Sequence, residues 1–229
     1  MSYTYDKFLQ RLVQYRLKLK LTQAETSKAL GITQSQFSKM ELGKTIVSYK
    51  LLVSLMEMDW DVDYIVTGKA ASRERSELSL MLESADDSGK RELLQVIAWA
   101  IYQRITKEIS NMDLEIQCEA EFLKRFIAGG TLEPVLCEIR RISGVSQIPM
   151  SEKLGVNIKK YRMLEREVLR PDAELLLRIY EVTGCKPSLL LDPNHMQSII
   201  IDDLWYRLEL SVRNEILSFV DHAIAILRI

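Results

Sequence analysis

The chain contains itself twice, and that repeat constrains its fold more than any other property. Residues 21–68 fall without a gap on residues 145–192, about 124 positions further on. Leu12, Arg16, Gln23, Leu30, Gly31, Glu41, Leu51, Leu52 and Glu57 fall on Leu136, Arg140, Gln147, Leu154, Gly155, Glu165, Leu175, Leu176 and Glu181. Near-matches fill the gaps: Thr22 on Ser146, Ile32 on Val156, Phe37 on Tyr161, Met40 on Leu164. One residue out of phase, Lys90-Arg91-Glu92-Leu93-Leu94 matches Arg213-Asn214-Glu215-Ile216-Leu217. Each copy is therefore expected to hold a small domain and a helical tail. The divisions expected are residues 1–69, a tail and connector over 70–129, a second domain over 130–193, and a C-terminal tail over 194–229.

Pro and Gly are few, and β-branched residues do not alternate with polar ones, so the chain reads as all-α. The net charge of −1 exerts no overall pull on a polyanion. Its distribution is more telling. Between positions 11 and 50, Arg11, Arg16, Lys18, Lys20, Lys28, Lys39, Lys44 and Lys50 face only Glu25 and Glu41. The acids Glu57, Asp59, Asp61 and Asp63 come afterwards, which gives the first domain one basic end. The N-terminal residues lack the basic and apolar regions of a signal peptide, and no apolar run has membrane-spanning length. Cys118, Cys137 and Cys185 are widely spaced and read as small hydrophobes in a reducing cytoplasm.

Phe8, Leu9, Leu12, Tyr15, Arg16 and Leu19 recur at helical spacing and define a first amphipathic helix. After a break at Lys20-Leu21, Thr22-Gln23-Ala24-Glu25 is a capping box for a second helix that stops at Gly31. Thr33-Gln34-Ser35-Gln36 is a second box, opening a helix that ends at Gly43. Phe37 and Met40 share its inner face, and Gln34, Ser35, Ser38 and Lys39 its outer face. Amides, hydroxyls and a lysine on exposed first turns, with no bulky apolar group, suit a major groove.

Leu21-Thr22-Gln23-Ala24, Leu30-Gly31-Ile32-Thr33-Gln34-Ser35 and Met40-Glu41-Leu42-Gly43-Lys44 together resemble the phage-repressor (lambda-repressor-like, Cro/Xre) helix-turn-helix family over about residues 8–68. The resemblance implies five helices, with the third as recognition helix. It implies that Gln23 bonds a phosphate and braces Gln34, and that Gln34, Ser35 and Lys39 face base edges. Thr33 caps that helix at the groove, and Lys44 and Thr45 touch the backbone. It also implies an ion pair between Arg16 and Glu41, which recur as Arg140 and Glu165.

In the second copy Gln147 stands where Gln23 does, and Asn157 is the expected cap of the recognition helix. Tyr161 and Leu164 face inward, while Ile158, Lys159, Arg162 and Met163 take the outward positions. Lys159, Lys160, Arg162, Arg166 and Arg170 offer phosphate contacts, whereas Ile158 and Met163 suit a thymine methyl or a protein partner. Glu167 replaces the helix-ending Gly43, so a changed exit is expected there.

Leu78 to Ile109 reads as amphipathic helix broken at Asp86-Asp87-Ser88-Gly89, and Asn111 to Phe126 as helix before a hinge at Gly129-Gly130. The stripe Leu93, Leu94, Ile97, Ala100, Ile101, Ile105 has a partner in Ile216, Leu217, Val220, Ala223, Ile224, Leu227. The two should pack together or pair with a second chain, which would make a homodimer through the tails. Asp86-Asp87 and Asp202-Asp203 read as turn or cap residues on a solvated surface. With histidines only at 195 and 222, no metal-ligand spacing, no phosphate-cradling loop and no nucleophile elbow, neither an enzyme nor a metal or cofactor is expected. The sequence points to a cytoplasmic DNA-binding transcriptional regulator, a repressor, whose two recognition helices about 34 Å apart reach successive major grooves of double-stranded DNA. The competing expectation is an antitoxin-like or adaptor protein whose second repeat grips a protein partner.

Overall fold

The computed structural model describes residues 5–69, 76–83, 90–108, 113–129 and 134–227, and every regular element among them is helical. No helix among them is long and apolar enough to cross a membrane. The first repeat holds α1 (Tyr5–Lys18), α2 (Gln23–Ala29), α3 (Gln34–Glu41), α4 (Tyr49–Glu57) and α5 (Val62–Thr67). Then come α6 (Glu77–Glu83), α7 (Lys90–Glu108) and α8 (Leu114–Ile127). The second repeat holds α9 (Val135–Ile142), α10 (Gln147–Lys153), α11 (Ile158–Glu165), α12 (Ala173–Thr183) and α13 (Pro187–Leu191). A short 3₁₀ turn, Pro193–His195, leads to α14 (Met196–Trp205) and α15 (Leu210–Leu227).

The repeat is written in the turns as much as in the helices. α2 and α3 recur as α10 and α11 with both boundaries at the same offset. Left-handed backbone recurs with them: Lys20 (φ 57°) with Gly144 (65°), Gly31 (65°) with Gly155 (64°), and Gly43 (69°) with Glu167 (56°). Only the middle pair is glycine in both copies. At Gly43 a Cβ would also meet the end of the Leu9 side chain, Cδ1, at 2.9 Å, so a larger residue there would have to displace it. The changed exit expected at Glu167 is not found. Its amide donates to Leu164 O at 3.0 Å and Val168 donates to Met163 O, matching Gly43 to Met40 O and Lys44 to Lys39 O. Glutamate takes up the left-handed turn at a cost in local strain.

The chain forms two compact units, each assembled from two separated segments: residues 1–71 with 134–193, and 72–133 with 194–229. In the first unit, Phe8, Leu12, Phe37, Leu52, Leu55 and Ile65 fill the core of one repeat and Leu136, Ile139, Tyr161, Leu176 and Ile179 that of the other. α5 packs on α12 and α13, and α4 on α13. Hydrogen bonds join the repeats: the Ala173 amide donates to Val47 O at 3.0 Å, and the Ser188 amide to the Asp63 side chain at Oδ1, 2.8 Å. The Tyr49 hydroxyl donates to Leu190 O at 3.2 Å, and the Arg170 guanidinium lies 5.4 Å from the Tyr49 ring centre.

In the second unit, α7 packs on α8 and α15, so the two repeated apolar stripes meet within the chain. Leu78, Ile97, Phe122, Leu204, Trp205 and Val220 are buried there. Asp202 is half-buried: the Ser76 amide donates to its Oδ1 at 3.1 Å and the Ser79 hydroxyl at 2.6 Å, tying α14 to the start of α6. The Ser76 hydroxyl donates to the same oxygen. Asp203 is buried as well. Asp86, Asp87, Ser88, Gly89, Ile109, Asn111 and Gly130 lie outside the described residues.

The left-handed turn at Glu167 makes a measurable difference. Glu167→Gly is expected to leave stability unchanged or raise it by up to about 1 kcal/mol, while Glu167→Val lowers it by about 1–2 kcal/mol. Urea denaturation of the full chain reads both, and equal stability of the two variants would refute a strained turn.

Candidate nucleic-acid interface

The exposed face of α3 is held by interactions at both of its ends. At its start, the Gln36 amide donates to Thr33 Oγ1 at 3.2 Å and the Thr33 amide donates back to Gln36 Oε1 at 2.9 Å. α2 opens with the same reciprocal box between Thr22 and Glu25. The Thr22 amide holds the Glu25 carboxylate below the usual range, so that box is intact at neutral pH and is lost as acid protonates it.

At the far end of α3, Glu41 is the last helical residue and its side chain is 5% exposed. Arg16 of α1 donates from Nε to Glu41 Oε1 at 2.7 Å and from Nη2 to Oε2 at 3.2 Å. Its Nη1 reaches Leu21 O at 2.7 Å, fixing the break before α2. Gln23, first residue of α2, donates from Nε2 to Glu41 Oε2 at 2.6 Å. One buried carboxylate thus ties three helices together.

On the outer side, Gln34, Ser35, Lys39, Lys44 and Thr45 are exposed and Ser38 is half-buried. None of them makes a side-chain hydrogen bond or ion pair among the described residues, so donors and acceptors stand free on a fixed helix. Two short helices about a tight left-handed turn, the second capped, clamped and polar outside, form the geometry that presents side chains to base edges. A helix-turn-helix family model matches residues 12–58. No curated protein and no solved structure matches the chain. The helix-turn-helix match supports a DNA-binding transcription regulator and covers α2, α3 and the turn between them.

Around this helix-turn-helix the sequence expectations fall into two groups. Gln34, Ser35, Ser38, Lys39, Lys44 and Thr45 lie together on or just beyond α3 with free side chains. Gln23 and Thr33 serve the scaffold, one in the clamp and one in the cap. The brace implied between Gln23 and Gln34 is not present: the Gln23 amide goes to Glu41. The repeat contained a signal for this, since Gln23 and Glu41 return together as Gln147 and Glu165.

The second repeat reproduces the arrangement. Arg140 Nε donates to Glu165 Oε1 at 2.6 Å, and Gln147 Nε2 to Glu165 Oε2 at 2.5 Å. The Glu165 bond pushes the Arg140 guanidinium up from its ordinary value. Asn157 caps α11, accepting from the Lys160 amide at 2.8 Å. Tyr161 replaces Phe37, and burial beside the Glu165 carboxylate pushes its hydroxyl far up, so the phenol stays neutral. Lys159, Lys160, Arg162 and Arg166 are exposed, while Ile158 and Met163 are half-buried. One bond has no counterpart in the first repeat: Arg162 Nε donates to Gln147 Oε1 at 3.2 Å.

Removing the carboxylate alone should be costly. Glu41→Ala leaves the Arg16 guanidinium buried without its partner and is expected to cost about 3–5 kcal/mol. Replacing both, Arg16→Met with Glu41→Leu, should recover most of that loss, and chemical denaturation of the three proteins measures it. If the double variant were no better than Glu41→Ala, the cost would not come from a stranded charge.

Proposed function

We propose that the chain is a cytoplasmic, non-enzymatic, sequence-specific regulator of transcription that binds double-stranded DNA and represses by occupying its site. The observation that carries this reading is the set of free, exposed Gln34, Ser35 and Lys39 on a helix anchored at both ends. Lys39 and Lys44 supply affinity through phosphates, which positions the protein, and Gln34 and Ser35 contribute sequence preference.

The same proposal includes the second repeat as a second reading head, making the chain a tandem helix-turn-helix. Its support is the repeated clamp at Glu165 and the exposure of Lys159, Lys160, Arg162 and Arg166 around half-buried Ile158 and Met163. Because both repeats lie in one compact unit, one chain carries two unlike half-site readers. A homodimer through α7 and α15 is a further part of the reading, supported by exposed Trp99 and Phe219 on those helices. Exposed Ile148 and Val168 favour a second reading, a protein partner at the second repeat, since the first repeat has Ala24 and Lys44 there.

Duplex binding as a function of salt separates the readings. The regulator should bind DNA with affinity falling steeply as salt rises, and no binding at low salt would leave the partner reading standing. On the preferred site, Gln34→Ala should cost about 1–3 kcal/mol and relax preference at one base position. A uniform loss on all sequences would show that Gln34 is no reader.

A further inference from the structure

At one pair of positions the outer faces of α3 and α11 differ in how they connect to the clamp. Ser38 of α3 corresponds to Arg162 of α11, and only the second is joined to the clamp beneath it. Arg140 holds Glu165 at 2.6 Å, Glu165 accepts from Gln147 at 2.5 Å, and Gln147 accepts from Arg162 Nε at 3.2 Å. A continuous relay runs from the α9 core to an exposed guanidinium. In the first repeat the same relay stops at Gln23.

We propose that Arg162 reads a guanine in the major groove, positioned for it by Gln147. The inference rests on the second repeat being a DNA-reading head. The Nε bond turns one edge of the guanidinium inward, and the Nη1 and Nη2 groups have no partner among the described residues. Two parallel N–H donors match the O6 and N7 acceptors of guanine, the commonest bidentate contact in the major groove. A planar fork already held in place loses less freedom on binding than a free side chain. Lys159 and Lys160 have no such brace, and a lysine ammonium is a point charge suited to phosphates. Ile158 and Met163, on the same face, cannot hydrogen-bond a base. Arg162 therefore supplies the polar base contact of α11, where a hydroxyl, Ser38, stands at its place on α3.

The experiment is selection from random duplex DNA with the full-length chain, run in parallel on the wild type, Arg162→Ala and Gln147→Ala. The sites obtained are then titrated with 7-deazaguanine at the position in question, which removes N7 and keeps the base pair. The wild type should select a guanine in one half-site. Arg162→Ala should lose that preference alone and bind about tenfold more weakly. Retained preferences in the other half-site show that the variant is folded. 7-Deazaguanine should weaken the wild type and leave Arg162→Ala unaffected. Gln147→Ala should blur the same guanine without changing the salt slope, a change that lost stability alone does not produce. A uniform loss for Arg162→Ala on every sequence, with a salt slope lower by about one, would place Arg162 on a phosphate and overturn the inference. Unchanged preferences in Arg162→Ala would overturn it while the first repeat's reading stands. No enriched duplex with the wild type would remove both.

Discussion

The buried carboxylate that ends α3 and, in the second repeat, α11 is the interaction on which the rest of the first unit depends. Glu41 and Glu165 each accept from an arginine on the preceding repeat helix and from a glutamine on the helix before the turn. Taking such a pair out of water costs about as much as its attraction returns, so its main effect is not net stability. Its effect is directional. A buried carboxylate held by an arginine and a glutamine has few arrangements that satisfy it, and each would set the axis of α3 or α11 relative to two other helices. Hydrogen bonds to base edges weaken within a few tenths of an ångström, so a recognition surface needs a fixed axis more than it needs a deeper core.

That constraint also explains how an ion pair suits so small a domain. Helices of seven or eight residues have little intrinsic stability in water and rely on packing and caps. α2 and α3 begin with reciprocal capping boxes, and α11 begins with an asparagine cap. Caps settle where a helix starts, the clamp settles where it points, and the left-handed turn settles the angle between neighbours. The second repeat keeps the cap of α11, the clamp and the left-handed turns even where residue types change, as Asn157 for Thr33 and Glu167 for Gly43 show, while α10 has no side-chain cap. The hydrogen bonds from the Ala173 amide to Val47 O and from the Ser188 amide to the Asp63 carboxylate then join the repeats, so their spacing is a property of the chain and not of an association equilibrium.

Local features were legible in the sequence because their physics is local. The capping boxes, the stop at Gly31 and the inward Phe37 and Tyr161 follow from spacing within a few residues. The pairing of Arg16 with Glu41 came from family resemblance, and the repeat strengthened it. What could not be read depends on partners remote in sequence. Asp202 looked like a surface acid until Ser76 and Ser79 closed on it. The choice by Gln23 of Glu41 over Gln34 is a competition between two nearby acceptors, and a buried charge outcompetes an exposed neutral amide. Glu167 misled for another reason: glycine is the cheapest residue for a left-handed turn but not the only one able to occupy it. The interleaving of segments into two units is tertiary: the matched apolar stripes of α7 and α15 pointed to the pairing within the second unit, but nothing local marked the joining of the two repeats in the first.

The pattern of difference between the repeats bears on function independently of any single residue. Positions that build the motif changed little: Leu30 to Leu154, Phe37 to Tyr161, Met40 to Leu164, with arginine, glutamine and glutamate of the clamp unchanged. Positions on the outer faces of α3 and α11 all differ: Gln34 and Ile158, Ser35 and Lys159, Ser38 and Arg162, Lys39 and Met163. A repeat kept only as a scaffold has no need of a clamp that orients its outer face, because stability alone is served as well by apolar packing. A repeat kept to present the same surface twice would not have altered every outward position. Under the proposed function, an unchanged clamp beneath a wholly altered outer face fits two different targets held at one fixed spacing.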